Sequence, residues 1–455
     1  MQKWLKNAID YSGDWLEFQM RQTRQPGCVF AVFHKGRVVF ERAYGYSNAN
    51  KGERLTPRHR FRVASHSKSF TAAAILKLFE VGKIRLDDPV GRHVDGLHAK
   101  VANVTLTQLL SHGAGLVRDG ANGGQWIDER PFADKTQLLE ALTKQPVITP
   151  DTRIKYSNHG FGLLGLVIES VTGEDYCSWI RKNIIIPSKL KETVPDGPLD
   201  HGIPMVHGHS AEFPLGRRVI IPGTNPTNAL APATGFISTA SDLVQFFSSL
   251  DPDAKKSVIS PASRRAMLHK QWLDPHFSSI FQYGLGVMMG NVEGWEWAGH
   301  GGAFQSGLSF TRLLPGRDIC FSILTNAIDS PVRSWSDGIL KILKTFSSNP
   351  LPNNFSHRWK GRWWSIWQAF DLIPFGNRVI VASPSQLDPF SDADEITVTS
   401  MDQGFISLAK ALNSYGEEAR LMSGKGTQVR EVWLGGKRLV TERRLKAELK
   451  RKYCK

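Results

Sequence analysis

The sequence predicts a chain of the α/β (α+β) class, in which an antiparallel sheet is combined with a helical domain and a small antiparallel β-barrel follows. Strand-like runs occur near the start of the chain and again after residue 280, and helical and loop sequence lies between them. This order is typical of one sheet built from both ends of a domain. The composition then changes to linker residues over 347–354, and short strand patterns follow.

The first element is an amphipathic helix, with apolar residues that include Ala8, Ile9, Trp15 and Leu16. No run of 18 apolar residues occurs, and the first residues show neither an apolar signal core nor a cleavage site. We therefore expect a cytoplasmic protein without a membrane segment, or a periplasmic one if a leader was trimmed.

Two β-branched runs, 28–33 and 37–40, meet at Gly36 and predict a hairpin. A helix is expected from Ser67 to about Lys83. Later strands are expected at 281–288, 306–313 and 319–324.

Beyond the linker, short strands alternate with Gly and Pro turns, which is typical of a small antiparallel barrel. Their patterns lie at 361–364, 379–381, 396–398, 405–408 and 432–437. We therefore expect two domains, residues 1–347 and residues 352–455.

The chain has 455 residues, 41% of them hydrophobic, which is enough for one large core or two smaller ones. Its formal charge of +15 is concentrated partly in the tail 443–452. No zinc-finger, RNA-recognition or phosphate-loop motif supports nucleic-acid binding, so the tail is expected to be solvated, with a weak anionic surface or partner as the alternative. The scattered cysteines lack metal-ligand or redox spacing and are expected to be reduced. They are Cys28, Cys177, Cys320 and Cys454.

The stretch Ser65-His66-Ser67-Lys68 opens the expected helix. Three residues of spacing place the Ser65 hydroxyl and the Lys68 amine on one helix face. A buried lysine with a lowered pKa can take a serine proton, and free N–H groups at a helix start favour an oxyanion. By itself the Ser-x-x-Lys signal is weak, because an exposed helix start capped by serines is the commoner interpretation of such a pattern.

Two further motifs change this balance: Tyr156-Ser157-Asn158 and His300-Gly301-Gly302. In this order, Ser-x-x-Lys, Tyr-x-Asn and His-x-Gly resemble the three active-site elements of the penicillin-recognising serine hydrolases. That family includes class C β-lactamases, penicillin-binding DD-peptidases, esterases and D-aminopeptidases. The resemblance covers about residues 15–345 and implies a serine β-lactamase/DD-peptidase-like fold there.

The resemblance implies that Ser65 is the nucleophile and that Lys68 is the amine that tunes it. It implies that Tyr156 is the general base, as a phenolate, and then the proton donor to the leaving group. His112 would pack behind the site.

The resemblance also implies that Asn158 binds the substrate carbonyl or holds the lysine. The backbone N–H groups of the nucleophile and of Ala303 would form the oxyanion hole, and Gly301 and Gly302 would let the strand approach the substrate. His300 replaces the fixed cation of the Lys-Thr-Gly triplet that many β-lactamases carry, so a titratable imidazole stands there.

His-x-Gly at this place is similar to D-aminopeptidases and related esterases of the family. Those D-aminopeptidases also carry lipocalin-like barrels after the catalytic domain, as residues 352–455 are expected to form. An aminopeptidase needs an acidic contact for the substrate amine, and Asp128 and Glu129 are candidates for it.

The leading hypothesis is a serine hydrolase that acts through an acyl-enzyme on small amides, peptides or esters and is D-aminopeptidase-like. The alternatives are a β-lactamase or DD-carboxypeptidase, a carboxylesterase of the family, or a non-catalytic module that binds penicillin or another ligand. Neither a cofactor nor a metal is expected. The expected partner is a small substrate, with no nucleic acid and with self-association as a possibility.

Overall fold

The computed structural model describes residues 1–274, 281–423 and 428–454. The chain divides into two compact units, Gln25–Ser336 and a second that combines Met1–Arg24 with Asp337–Lys455. The first helix thus groups with the C-terminal segment and not with the residues that follow it. The domain boundaries 1–347 and 352–455 stay a prediction.

Within the described residues, nine strands of the unit Gln25–Ser336 form one antiparallel sheet. The strands of this unit are β1 (Gly27–His34), β2 (Arg37–Asn48), β3 (Glu53–Arg54), β4 (Phe61–Arg62), β5 (Gly208–His209), β6 (Ile220–Ile221), β7 (Ile237–Ser238), β8 (Trp272–Asp274), β9 (Phe281–Tyr283), β10 (Met288–Val292), β11 (Trp295–Phe304), β12 (Gly307–Leu314) and β13 (Ile319–Thr325). The sheet order is β3-β2-β1-β13-β12-β11-β10-β9-β8, while β4 pairs with β7 and β5 with β6. The early hairpin therefore lies beside the late strands, which confirms the prediction of one sheet built from both ends.

The predicted hairpin is confirmed, and its turn has a local cause. Lys35 and Gly36 both have positive φ, 48° and 85°. Two such residues in a two-residue loop give the turn whose twist matches that of the flanking strands.

The helices of the chain are α1 (Lys3–Gln22), α2 (Ser67–Glu80), α3 (Ala99–Ala102), α4 (Leu106–Leu110), α5 (Lys135–Leu142), α6 (Asn158–Thr172), α7 (Tyr176–Ile180), α8 (Ala240–Ser248), α9 (Pro261–Met267), α10 (Val332–Ser348) and α11 (Glu442–Tyr453). Helix α2 is buried along most of its length. Its Phe70 stacks on Phe246 and Phe236, with ring centroids 3.7 and 4.4 Å apart. The helix ends at Glu80 and not near Lys83, because Gly82 takes a left-handed conformation, with φ 72°, just past the helix end.

The prediction of a single strand over 281–288 is wrong. Strand β9 ends at Tyr283 and β10 begins at Met288. Between them, Gly286 has φ 70°, and a Cβ there would lie 2.9 Å from the carbonyl oxygen of Lys68. The break lets the chain pass close to helix α2, which a continuous strand could not do.

In the other unit, the described residues form a closed antiparallel barrel of eight strands. These are β14 (Gly361–Trp364), β15 (Ala369–Phe375), β16 (Arg378–Ala382), β17 (Asp394–Val398), β18 (Gln403–Leu408), β19 (Glu418–Ser423), β20 (Val429–Leu434) and β21 (Lys437–Val440). The sequence did not reveal β15 and β19, and it merged β20 with β21 across the turn at 435–436. Apolar side chains such as Trp359, Phe370 and Val432 form the barrel core. Among the described residues, no helix has the length and apolar content needed to cross a bilayer.

Candidate active site

Ser65 lies in a short 3₁₀ turn, Ala64–His66, directly before α2. Ala64 has φ 46°, a left-handed conformation that is costly for a residue with a side chain. The turn is held by His66, whose Nδ1 donates to the Val63 carbonyl at 2.9 Å and whose Nε2 accepts from Thr311 Oγ1 at 2.9 Å. Burial lowers the pKa of His66 to about 4, so the imidazole is neutral. Ser65 itself is only half-buried.

Lys68 is fully buried in the first turn of α2. Its Nζ lies 3.1 Å from Ser65 Oγ, 2.7 Å from Asn158 Oδ1 and 2.8 Å from the carbonyl oxygen of Ala233. Burial lowers the pKa of Lys68 well below its usual range, although the charge of Asp119 opposes the shift. A neutral amine would donate to the two carbonyl oxygens and keep its lone pair for the Ser65 hydroxyl.

The Ala233 carbonyl is positioned by a turn over Ala231–Gly235 that packs on α2. Thr71 Oγ1 donates to the Pro232 carbonyl at 2.7 Å. The backbone N–H of Phe236 donates to Ser67 Oγ at 3.0 Å. Two hydroxyls of α2 therefore hold the segment that binds the lysine.

Tyr156 donates its hydroxyl proton to Ser65 Oγ at 2.8 Å. Its ring packs on that of His112, with centroids 4.1 Å apart. The backbone N–H of Ser157 donates to His112 Nδ1 at 3.2 Å, so one imidazole supports both the ring and the chain beside it. Burial raises the pKa of Tyr156 above its ordinary value, which favours the phenol over the phenolate.

Asn158 begins α6 and is 2% exposed. Its Oδ1 accepts from Lys68, and its Nδ2 donates to Asp119 Oδ1 at 2.6 Å. Both ends of the amide are thus occupied. Of the two roles expected for Asn158, this geometry fits the one that holds the lysine.

Asp119 is a residue that the sequence did not single out. Its carboxylate accepts from Asn158 and pairs with Arg118 Nε at 3.0 Å, and its side chain is 14% exposed. Nothing in the local pattern of residues 117–123 marks it, because its neighbours at the site are distant in the sequence. Only the fold brings this acid beside Lys68.

His300 lies on β11 but does not face solvent, since it is 1% exposed. Its Nδ1 donates to the Gly301 carbonyl at 2.7 Å, and its Nε2 lies 3.1 Å from the Tyr283 hydroxyl, which donates to it. Burial lowers the pKa of His300 well below its usual range. The imidazole is therefore neutral, and both of its nitrogens are hydrogen-bonded within the protein. A contact between His300 and the substrate stays a prediction.

The glycines after His300 bring β11 against the Ser65 turn. A Cβ at Gly302 would overlap the carbonyl oxygen of Val63, whereas one at Gly301 would lie 3.1 Å from the Phe310 ring. Ala303 follows and is exposed. Strand β10 pairs with β11 only as far as Gly299. Among the described residues, the part of β11 between Gly299 and Ala303 therefore has no strand partner on that edge.

Replacing Gly302 by alanine is expected to lower kcat/KM at least tenfold, because the added methyl group must push the strand away from the Ser65 turn. Overpacking of this kind typically also costs about 1–3 kcal/mol of unfolding free energy. The matched control is Gly301→Ala, which meets an aromatic ring and not backbone. Steady-state kinetics and urea unfolding of both variants test the idea, and equal losses in the two would contradict it.

Asp128 and Glu129 lie on an exposed loop. Asp128 has φ 60° and accepts hydrogen bonds from Asn225 Nδ2 and Gln305 Nε2. These bonds tie the loop to the end of β11. For Glu129 the described residues show no side-chain hydrogen bond, and its role as an amine contact stays a prediction.

The structure thus brings Ser65, Lys68, Tyr156 and Asn158 together from two segments, 65–68 and 156–158. A serine hydroxyl that contacts both an amine and a phenol can be deprotonated and can attack a carbonyl carbon. Water can then hydrolyse the resulting acyl-enzyme and release the serine. Among the described residues, no group of three or more His, Cys, Asp or Glu side chains is placed to hold a metal ion.

The family model described as Beta-lactamase matches residues 14–343, which is most of the chain. The chain belongs to the beta-lactamase family. The resemblance inferred from the three motifs is confirmed.

Relatives of this beta-lactamase family member cover different parts of it. The chain is 28% identical over 187 residues to Protein flp of Staphylococcus aureus (strain MW2), a match that covers 39% of the chain and 36% of that protein. The chain therefore spans about a third of the length of the first curated relatives it matches.

Solved structures that resemble this one include a penicillin-binding protein homologue and an amidohydrolase. The octameric penicillin-binding protein homologue from Pyrococcus abyssi has a TM-score of 0.67 at 22% identity and covers 95% of this chain and 100% of its own. That likeness shows the fold. A D-stereospecific amidohydrolase from Streptomyces sp. has a TM-score of 0.59 at 25% identity and covers 69% of this chain and 94% of its own.

Proposed function

We propose that this protein is a serine hydrolase that cleaves small amides or peptides carrying a free amino group, D-configured ones included, through an acyl-enzyme on Ser65. The observation that carries the proposal is the contact of Ser65 Oγ with both Lys68 Nζ and the Tyr156 hydroxyl, with the carboxylate of Asp119 next to them. The similarity to a D-stereospecific amidohydrolase supports the substrate class.

In the proposed first step, neutral Lys68 takes the Ser65 proton as Oγ attacks the substrate carbonyl. The sequence resemblance implied a Tyr156 phenolate as the base, but burial disfavours the phenolate and favours the neutral amine. The tetrahedral oxyanion would accept from the backbone N–H groups of Ser65 and Ala303. Loss of one such donor typically costs about 10²-fold or more in rate.

In the proposed second step, the Tyr156 hydroxyl protonates the leaving amine as the carbon–nitrogen bond breaks, and the proton held on Lys68 restores Tyr156. Water then attacks the acyl-enzyme while Lys68 accepts one of its protons. Ser65 Oγ then leaves as the alcohol, because it takes back the proton that Lys68 accepted from the water. No net proton is lost over the cycle.

The proposed contact for the substrate ammonium is Asp119. It is the acidic group bonded directly to the Lys68–Asn158 pair, and its partly exposed carboxylate has an oxygen shared only with Arg118. Asp128, in contrast, already accepts from two amides.

Replacing Asp119 by asparagine is expected to raise KM for D-alanine p-nitroanilide by about 10- to 100-fold, because a charge-assisted hydrogen bond is lost while the bond to Asn158 can remain. The N-acetylated anilide, which has no ammonium group, should be unaffected. The matched controls Asp128→Asn and Glu129→Gln should change neither substrate. An equal effect of Asp119→Asn on both substrates would remove the proposed amine contact.

A second candidate, a β-lactamase or DD-carboxypeptidase, is favoured by one observation. Arg118 is exposed, and its guanidinium lies 5.7 Å from the centre of the Tyr156 ring, where it could bind a substrate carboxylate. Parallel kcat/KM values for D-alanine p-nitroanilide, p-nitrophenyl butyrate and a chromogenic cephalosporin separate the candidates. Preference for the anilide supports the leading proposal, and preference for the cephalosporin or the butyrate replaces it.

We also propose a cytoplasmic location and self-association. All four cysteines are free thiols, as is usual in a reducing compartment. The Pyrococcus abyssi relative is described as octameric. Sedimentation velocity tests the second part, and a monomer at micromolar concentration would contradict it.

A further inference from the structure

The basic tail forms helix α11, which carries six Lys or Arg against two Glu. Some of its cations are neutralised: Arg444 pairs with Glu431 and Glu448, and Lys446 pairs with Glu442. The cations at the end of the helix are exposed and have no carboxylate partner among the described residues. These are Lys450, Arg451 and Lys452.

Exposed apolar side chains lie near Lys452, the last of these cations. Ile366 and Trp367, in the turn between β14 and β15, are 60% and 89% exposed, and Tyr453 is 70% exposed. Ile366, Lys452 and Tyr453 line the same shallow depression, so the turn and the helix end are neighbours on one surface. We call the exposed end of α11 together with this neighbouring turn the tail edge; it consists of Ile366, Trp367, Lys450, Arg451, Lys452 and Tyr453.

We propose that the tail edge docks on an anionic lipid bilayer surface. Charge complementarity carries the choice of occupant, because unpaired cations are attracted to acidic headgroups. The aromatic and aliphatic side chains carry the rest. Trp and Tyr side chains favour the headgroup region of a bilayer, so Trp367 and Tyr453 can be buried there and not left in water. Ile366 can enter the boundary with the acyl chains.

The charge half of the proposal is tested by co-sedimentation of the full chain with vesicles of phosphatidylcholine alone and of phosphatidylcholine with phosphatidylserine. We expect binding only to the anionic vesicles, weakening as salt is raised. The variant Lys450→Gln/Arg451→Gln/Lys452→Gln should bind about 10²-fold more weakly. The control Lys144→Gln/Lys255→Gln/Lys256→Gln removes three exposed cations from the other unit and should bind like the wild type.

The apolar half distinguishes a bilayer from any other polyanion. Ile366→Ser/Trp367→Ser should weaken vesicle binding about tenfold, since the burial of apolar area is lost. The control Phe213→Ser removes a side chain that is 96% exposed in the other unit and should change nothing. Hydrolysis in solution should be unchanged in all these variants, which verifies folding.

Three outcomes would overturn the proposal. The first is that the wild type fails to bind anionic vesicles at low salt. The second is that the two control variants lose as much binding as the tail-edge variants. The third is that vesicle binding depends on the three cations but not on Ile366 and Trp367, as binding of heparin or RNA would, which would identify a general polyanion surface.

Discussion

Replacing Ser65 by alanine is expected to lower kcat by a factor on the order of 10⁴ to 10⁶ on every substrate of the wild type. The reason is that the proposed acyl-enzyme cannot form, since no other hydroxyl contacts both Lys68 and Tyr156 among the described residues. The variant should fold, because Ser65 is half-buried and its loss leaves no cavity deep in the core. Single-turnover kinetics and circular dichroism measure the two effects separately.

The matched control is Ser69→Ala on the same helix. Ser69 Oγ donates to the Gly286 carbonyl at 2.7 Å and does not contact Ser65. Its loss should cost about 1 kcal/mol of stability, with activity changed only a few-fold. Mass spectrometry after treatment with a fluorophosphonate should find the adduct on Ser65 in the wild type. Full activity of Ser65→Ala would overturn the proposed mechanism.

Replacing Lys68 by methionine is expected to lower kcat/KM by about 10²- to 10⁴-fold, because the base that takes the Ser65 proton is removed. Lys68→Arg should be equally inactive, since a guanidinium is not deprotonated at any usable pH. This second variant separates two mechanisms. If Lys68 acted only as a cation beside a Tyr156 phenolate, arginine would retain much of the activity.

The pH profile follows from the same pKa shift. Below the lowered pKa of Lys68 the amine is protonated and has no lone pair, so kcat/KM of the wild type should fall as the pH falls through that value. The raised pKa of Tyr156 keeps its phenol protonated across the usable range, so we expect no alkaline loss from this group near neutral pH. A profile that rises toward acid would contradict both assignments.

The unfolding free energy should also depend on pH, because burial changes the proton affinity of Lys68. The unfolded chain binds a proton at Lys68 up to the ordinary pKa near 10.5, whereas the folded chain releases it at lower pH. Unfolding free energy of the wild type should therefore rise with pH across that window. Lys68→Met should lack this part of the pH dependence, which urea unfolding at several pH values measures.

Several features of the fold were predictable because their causes are local. The Lys35–Gly36 turn and the helix start at Ser67 depend on residues adjacent in the chain. The break between β9 and β10 was not predictable, because it depends on how closely Gly286 approaches helix α2. Strand β15 was missed because its buried residues include Asp371 and Pro374, which are unusual in a strand.

The candidate site divides in the same way. Ser65 and Lys68 are three residues apart on one helix, so their contact could be inferred. Asp119 could not be found, because its nearness to Lys68 depends on Asn158, which lies on another segment. For the substrate amine, the sequence directed attention to Asp128 and Glu129, whereas the structure gives Asp128 to neighbouring amides.

The sequence by itself determined the family, the order of the three motifs and the two-part organisation of strands, because these depend on residue types and their spacing. The tertiary structure alone decided the state of each group. It buries Lys68 and so favours its neutral form, turns His300 toward Tyr283, and places Asp119 beside Asn158. Burial and contacts between distant segments set proton affinities, and neither can be derived from spacing along the chain.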